Sequence, residues 1–419
     1  MLDLKYIREN TLAVKEALAK RLSTKEFNLE KLLELDDHRR EIIQKVEALK
    51  SERNAHSKTK PSPDVIKQMK KIGESIAKLE ASLSKAEGEL QEKLAELPNL
   101  PASDVPAGGK ENNEVIYTYG SKPEFSFTPK DHVALATSLG LIDYERAAKM
   151  SGSGFWCYKG VGALLEWALL SYFIDFHQKN GYEFLLPPFL LTEKSAYTSG
   201  HLPKFRDDLF WTQDALCLNA TSEMMLGNYH REEILPGDLL PLKYYAYSPC
   251  FRREAGSYRQ EERGMIRGHQ FNKVEMFAFC RPEDSWNLFD ELLANAKKLV
   301  EGLGLHYQVS KLAAGDCSAA MAKTYDLEVW IPSMNIYKEV SSVSNALDYQ
   351  ARRGSIRFKD KQAEKTNFVH TLNASGLATS RLIPAILEQC QQADGSVIIP
   401  PALRPFLPSN LEIIKAEQS

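Results

Sequence analysis

Cys250-Phe-Arg-Arg-Glu-Ala-Gly256 and, beyond a charged loop, Arg267-Gly-His-Gln-Phe-Asn-Lys-Val-Glu275 place charges of both signs inside strand-like surroundings. Alternate residues of a strand share a face, so Arg252 stands with Glu254, and His269, Phe271 and Lys273 stand with Glu275. Burying such charges without partners is costly. One strand of this kind reads as an edge or a solvent face. Three further polar clusters change the reading: Thr221-Ser-Glu223, whose Thr221 and Glu223 are expected to share a strand face, Lys338-Glu-Val-Ser-Ser342, and His370-Thr-Leu-Asn-Ala-Ser-Gly-Leu-Ala-Thr-Ser-Arg381, the last expected to open a helix. Together they describe a sheet face that lines a cleft, suited to a ligand with an anionic and a cationic end.

Around these clusters lie strand-like runs at 182–186, 244–248, 267–279, 324–331 and 336–343, and helical stretches at 162–179, 282–303 and 377–391. Strands and helices do not alternate as βαβ units. The expectation is an α+β fold with a large antiparallel β-sheet flanked by helices. Neither GxxxxGK[ST] nor GxGxxG occurs, so a nucleotide would not be held by a P-loop or a Rossmann turn.

The first hundred residues differ, with no Trp, one Tyr and one Phe. Leu32, Leu35, Arg39, Ile42, Val46, Leu49 and Arg53 recur at alternating three- and four-residue steps. So do Met69, Ile72, Ile76, Leu79, Leu83, Ala86 and Leu90. That is the period of a helical seam buried against a partner. Lys58-Thr-Lys-Pro-Ser-Pro63 breaks the pattern with two prolines. The stretch therefore reads as an antiparallel helical hairpin, a coiled-coil arm about 45 Å long at 1.5 Å per residue. Between Lys45 and Lys78, nine basic residues face four acidic ones. A solvated face, a phosphate-contacting probe and a protein-binding coiled coil all fit that excess. The boundaries expected are an arm over 1–100, a Pro/Gly-rich linker over 101–115 and a second domain over 116–419.

The 419 residues, 43% apolar and 26% charged, exclude a disordered chain and a disulfide-stapled miniprotein. A net charge of −3 argues against an architectural DNA binder. The six cysteines lie far apart with no CxxC pair, so no zinc site is expected. The N-terminus has no signal-peptide core and no segment is apolar enough to span a bilayer. A cytoplasmic location without membrane contact is the default.

These segments resemble motifs 2 and 3 of class II aminoacyl-tRNA synthetases, specifically the seryl-tRNA synthetase family. Ser248 to Ser257 with His269 to Glu275 is similar to motif 2. Thr371 to Ala378 through Arg381 is similar to motif 3. Gly181-Tyr-Glu-Phe-Leu-Leu-Pro-Pro188 is similar to motif 1, which lies at the family's dimer interface, and the hairpin resembles the tRNA-binding arm. The resemblance implies a serine–tRNA ligase of protein biosynthesis. It would activate L-serine with ATP and Mg²⁺ and charge a serine tRNA, whose long variable arm the hairpin reads, as a homodimer that binds no DNA. It assigns Thr221, Ser222, Glu223, Glu275 and Ser375 to serine. It assigns Arg252, Arg253, Glu254, Gly268, Phe271, Glu339, Val340, Ser341, Ser342 and Arg381 to ATP, with Glu339 and Ser342 also at Mg²⁺. It gives the tRNA contacts to Lys45, Lys50, Arg53, Lys58, Lys60, Lys67, Lys70 and Lys71.

The chain departs from the family pattern in the motif 2 loop, Arg259-Gln-Glu-Glu-Arg-Gly264, and at Gly154, Gly268, Ala374 and Ser380. None of these removes a charged residue assigned to the chemistry. Three rival readings are a non-catalytic paralogue, a ligase that loads a carrier protein, and another class II specificity. The retained charged residues, the long arm and the Thr221–Glu223 pattern disfavour them in turn.

Overall fold

The protein, a computed structural model, is described over residues 1–21, 27–56, 62–255 and 264–416. It divides into two compact units, Met1–Pro98 and Asn99–Ser419.

The first unit is helical. Helices α1 (Leu4–Glu9) and α2 (Thr11–Ala19) precede the hairpin and carry no sequence signal in the reading above. The Asp3 side chain caps α1 by accepting from the backbone N–H of Lys5 and Tyr6. Helices α3 (Leu29–His56) and α4 (Pro63–Glu96) form the arm. Ser62 caps α4, with Pro63 at its first position, where a missing N–H costs nothing. The pair is antiparallel, since Arg39 meets Glu87 at 3.8 Å, Lys50 meets Glu80 at 2.7 Å and Glu52 meets Gln68 at 3.4 Å. Leu32, Ile42, Val46, Ile72, Ile76, Ala86 and Leu90 are buried, as the seam predicts. Asp36 is also buried there, held by Arg8 and Arg39. Of the expected turn, 58–61, with Lys58 and Lys60, lies outside the described residues.

The second unit is built on an eight-stranded sheet. Its strands in chain order are β1 (Glu114–Tyr119), β2 (Glu183–Leu185), β3 (Leu242–Phe251), β4 (Gln270–Cys280), β5 (Tyr307–Lys311), β6 (Lys323–Ile331), β7 (Ile336–Leu347) and β8 (His370–Ala378). They lie in the order β1-β5-β6-β7-β8-β4-β3-β2, antiparallel throughout except for β2 on β3. One face carries helices α5 (Val161–Lys179), α7 (Ser285–Gly302) and α9 (Thr379–Gln389). Their Leu165, Leu169, Phe173, Leu292, Leu299, Leu382 and Ile386 join Val274, Met276 and Ala278 of β4 in one core. Those even-numbered β4 residues turn to the helices, which frees Lys273 and Glu275 for the other face. The remaining helices that matter are α6 (Glu223–Leu226) and α8 (Tyr349–Gly354).

Four local expectations change. Strand β3 ends at Phe251, so Arg252 and Glu254 share no strand face, and Glu254 sits at a positive φ. Thr221 and Glu223 do not share a strand face. Thr221 lies in a turn and Glu223 opens the short helix α6. The cluster from His370 is strand as far as Ala378, and the helix begins at Thr379. The segment read as linker is tied down instead. Val105 is buried, Ala102 N–H donates to Ala322 O, and Asn99 donates to Ala320 O and Ala346 O. Extended proline-rich backbone has no helix or strand ladder of its own, so its polar groups are satisfied on the neighbouring surface.

Candidate active site

The uncovered sheet face opens on a cavity of about 620 Å³. Its lining gathers Thr221, Glu223, Arg252, Glu254, Glu275, Glu339, Ser342, Ser375 and Arg381 from segments more than 150 residues apart in the chain. An adjoining smaller pocket shares Arg252, Glu254, Glu339, Ser375 and Arg381 and adds Gly268, Phe271 and Val340. Ser222 and Ser341 line neither. They lie buried behind, with Ser222 Oγ 2.7 Å from Ser248 Oγ and Ser341 Oγ donating to Ser375 O at 2.6 Å. Arg253 is exposed and lines neither. Of the motif 2 loop, 259–263 falls outside the described residues.

One part of the cavity is bounded by a dense polar network. Lys273 Nζ donates to Thr221 Oγ1 at 2.7 Å and is ion-paired with Glu275. Asn373 Nδ2 donates to Glu275 Oε1 at 3.0 Å and stands 3.4 Å from Glu223 Oε2, and Ser375 Oγ is 3.4 Å from Glu275 Oε2. Glu223 and Glu275 thus stand close together around Lys273, with Arg252 also near Glu223. Burial, then repulsion from Glu275, pushes the Glu223 carboxyl up to about 7, while Lys273, Gln350 and Arg252 pull it back. A buried carboxylate short of cations is what an incoming ammonium completes.

The second region is rich in arginine. The Arg252 guanidinium lies 5.2 Å from the centre of the Phe271 ring. Glu254, at a positive φ of 54°, pairs with Arg267. Arg381 Nη1 reaches Glu339 O at 2.7 Å and Glu339 Oε2 at 3.3 Å. Ser342 faces Asp326 across the β6–β7 ladder. Asp326 Oδ1 is buried without a hydrogen-bond partner, and burial with Glu339 and Glu328 nearby pushes its carboxyl well above the ordinary range.

Two of the sequence departures prove to be one contact. A Cβ on Gly268 would fall 2.2 Å from the Trp156 ring and 2.8 Å from Gly154 O. Gly154 itself sits at φ +80° against His269. The indole of Trp156 takes the room that a larger residue 268 would need. Trp167 of α5 is 57% exposed.

Sequence reasoning missed Gln350, Asn373, Ser344 and His201. Asn373 and Ser344 were legible, because each alternates with an assigned residue, Ser375 and Ser342. His201 also lines the cavity, and burial beside Arg252, Lys273 and Arg353 holds its ring neutral, with a pKa of about 3. Gln350 carried no signal, sitting on a short helix 23 residues before Asn373.

Comparison with known proteins gives concordant results. A family profile described as the seryl-tRNA synthetase N-terminal domain matches residues 1–101, and one for the class II tRNA synthetase core domain (G, H, P, S and T) matches residues 205–390. Serine–tRNA ligase 2 of Clostridium acetobutylicum is 54% identical over 97% of this chain and 99% of its own. The serine–tRNA ligase of Petrotoga mobilis is 47% identical over 97% and 99%. The crystal structure of the seryl-tRNA synthetase from Pyrococcus horikoshii complexed with ATP superposes with a TM-score of 0.93 at 34% identity, covering 100% of both chains. The cytoplasmic serine–tRNA ligase of Naegleria fowleri in complex with AMP gives 0.88 at 30%, covering 100% of this chain and 99% of that one.

Proposed function

From the premise that the chain belongs to the seryl-tRNA synthetase family and is an ATP-dependent serine–tRNA ligase, we propose how its residues share the work. Thr221 and Glu223 accept from the serine ammonium. Glu275 and Ser375 share the serine hydroxyl, and a site built to hydrogen-bond a hydroxyl rejects alanine by about 10⁴-fold or more. Threonine is excluded by want of space for its methyl. Arg252 grips the α-phosphate with its planar fork, Phe271 stacks on adenine and Arg381 meets the γ-phosphate. The observation that carries this reading is the meeting of the buried Glu223 carboxyl and the phosphate-suited arginines in one cavity.

In the first step a serine carboxylate oxygen attacks the α-phosphorus and the bond to the β-phosphate oxygen breaks, giving seryl-adenylate and pyrophosphate. In the second the terminal hydroxyl of the tRNA takes the seryl carbonyl and AMP leaves. No protein nucleophile is needed. Positioning and neutralisation of phosphate charge by Arg252 and Arg381 carry the rate. Glu339 and Ser342 suit Mg²⁺, which takes hard oxygens and is bound by one or two carboxylates together with substrate phosphates. The unpartnered Asp326 Oδ1 beside Ser342 supports that fit. The ion would supply charge neutralisation at the phosphates.

The arm, with exposed Lys45, Lys67, Lys70 and Lys71, contacts the long variable arm of serine tRNA. We take the domain boundary to lie near residue 100, consistent with the compact units. The exposed apolar side chains Leu164, Trp167, Phe184, Leu186 and Leu190 support the reading as a homodimer. No described helix is long and apolar enough to cross a membrane, and the cytoplasm, where tRNA is charged, is the proposed location.

Serine-dependent ATP–pyrophosphate exchange tests the activating half. Exchange with serine, and none with threonine, alanine or no amino acid, is the expected result. Exchange that ignores the amino acid, or none from folded protein with Mg²⁺, overturns the assignment.

A further inference from the structure

Helix α5 is apolar along most of the face it buries, yet that face carries Glu166 and His177, both at least 97% buried. They are eleven residues apart, three helical turns, and so point the same way. Neither belongs to the cavity described above. His177 meets β8, and Glu166 meets the first residue of α9 just beyond it, where the pairing of β8 with β4 changes. Ser375 lies opposite Glu275, but the next pair is Ala378 with Lys273, so β8 holds one residue more than its partner over this step. A bulge of this kind interrupts the ladder, and buried backbone groups there need other partners.

Helix α5 supplies them. His177 Nε2 lies 3.0 Å from Gly376 O. A carbonyl only accepts, so the ring proton resides on Nε2, and burial keeps the imidazole neutral with a pKa lowered to about 4. The approach is so close that a Cβ on Gly376 would stand 2.3 Å from Nε2. At the other end of the bulge, Glu166 Oε1 accepts from Thr379 Oγ1 at 2.6 Å and from Asn272 Nδ2 at 2.7 Å. Gly376 adjoins Ser375. Thr379 stands two residues before Arg381, and Asn272 lies between Phe271 and Lys273.

We propose that His177 and Glu166 are positioning residues of the activating site: His177 fixes the strand that presents Ser375 to serine, and Glu166 fixes the turn that presents Arg381 to ATP. The inference rests on the serine and ATP roles proposed above for Ser375 and Arg381. It makes one helix, itself outside the cavity, the template for two substrate subsites.

The two staples predict a split that general loosening of the fold would not produce. His177→Phe keeps a ring among Phe176, Tyr182 and Tyr245 but removes the donor. Glu166→Met removes the acceptor, and Thr379→Val removes the donor of the same bond while leaving Glu166 in place. In serine-dependent pyrophosphate exchange, His177→Phe should raise the serine KM about tenfold with the ATP KM within about twofold. Glu166→Met and Thr379→Val should do the reverse. Glu166→Gln, which keeps an acceptor oxygen, should regain most of the ATP affinity lost in Glu166→Met. If Glu166→Met does not fold, Thr379→Val carries the test. A fall in kcat with both KM values unchanged, or a parallel rise of both, overturns the proposal. Ser375→Ala and Arg381→Ala are the controls. If they fail to move the serine and ATP KM respectively, the site assignment falls; if they succeed while the helix variants do not, only the positioning inference falls.

Discussion

Gln350 Nε2 donates to Glu223 Oε1 at 2.7 Å and also to Ser199 O at 3.0 Å, while its Oε1 accepts from Thr371 Oγ1 at 2.7 Å. All three partners agree on one orientation of the amide, which leaves Glu223 fixed in place. Gln350→Leu removes the donor and leaves a buried carboxylate short of a partner, a loss of about 1–3 kcal/mol. The serine KM should rise about tenfold or more and the ATP KM should hold. Steady-state exchange kinetics at varied serine and varied ATP measure both, and an unchanged serine KM would show that Glu223 does not depend on this bond.

The same carboxylate sets a pH dependence whose sign differs between binding and stability. Serine binding needs Glu223 ionised. With its pKa raised to about 7, the serine KM should be flat above that pH and rise toward about tenfold per unit below it. Stability runs the other way. A folded pKa above the unfolded value means that the unfolded chain releases this proton first. The contribution therefore favours the fold below about 4.5 and is lost as pH rises through about 7. Glu223→Gln should lose serine affinity at every pH, yet gain in thermal midpoint over the parent at pH 8 relative to pH 5. A serine KM independent of pH between 6 and 8 would contradict the role given to this residue.

Gly268 and Trp156 are matched in the same physical sense. A valine at 268 would drive a branched side chain into the indole, and overpacking of this order costs about 1–3 kcal/mol. Gly268→Val should raise the ATP KM about tenfold through the neighbouring Phe271. Adding Trp156→Ala, which opens the space, should recover part of the loss. A single variant with parental ATP kinetics would mean that the two residues do not shape the ATP pocket.

Much of this was legible in the sequence because period and chemistry agreed. The seam residues Ile42, Val46, Ile72 and Ile76 are buried where three-four spacing puts them, since a coiled pair has only one apolar stripe to hide. Lys273 and Glu275 share the cavity face because a strand allows nothing else. Legibility failed where side-chain direction is set by tertiary contacts. Thr221 and Glu223 enter the cavity from a turn and a short helix, a geometry with no period to read. Gln350, His177 and Glu166 act from helices whose local pattern does not say which polar side chain turns inward. Asp36 had no place in the seam pattern, yet Arg8, from a helix that the sequence did not announce, pairs with it in the buried stripe.

The arm's charge can be read more narrowly from structure than from composition. Lys50 spends its charge on Glu80 at 2.7 Å, whereas Lys67, Lys70 and Lys71 are exposed along one helix. Phosphate contact should therefore rest more on α4 than on α3. Lys67→Glu/Lys70→Glu/Lys71→Glu should weaken tRNA binding strongly and flatten its salt dependence by about three counterions. Serine-dependent pyrophosphate exchange should stay within about twofold, because the activating cavity is lined wholly by residues of the second unit and surface charge changes usually cost little stability. Deleting Lys50 to Lys71 should give the same separation in a stronger form, abolishing tRNA charging while adenylate formation persists. Loss of both activities in equal measure would refute the separation between arm and activating site. Loss of charging with an unaltered salt slope would place the phosphate contacts elsewhere on the chain.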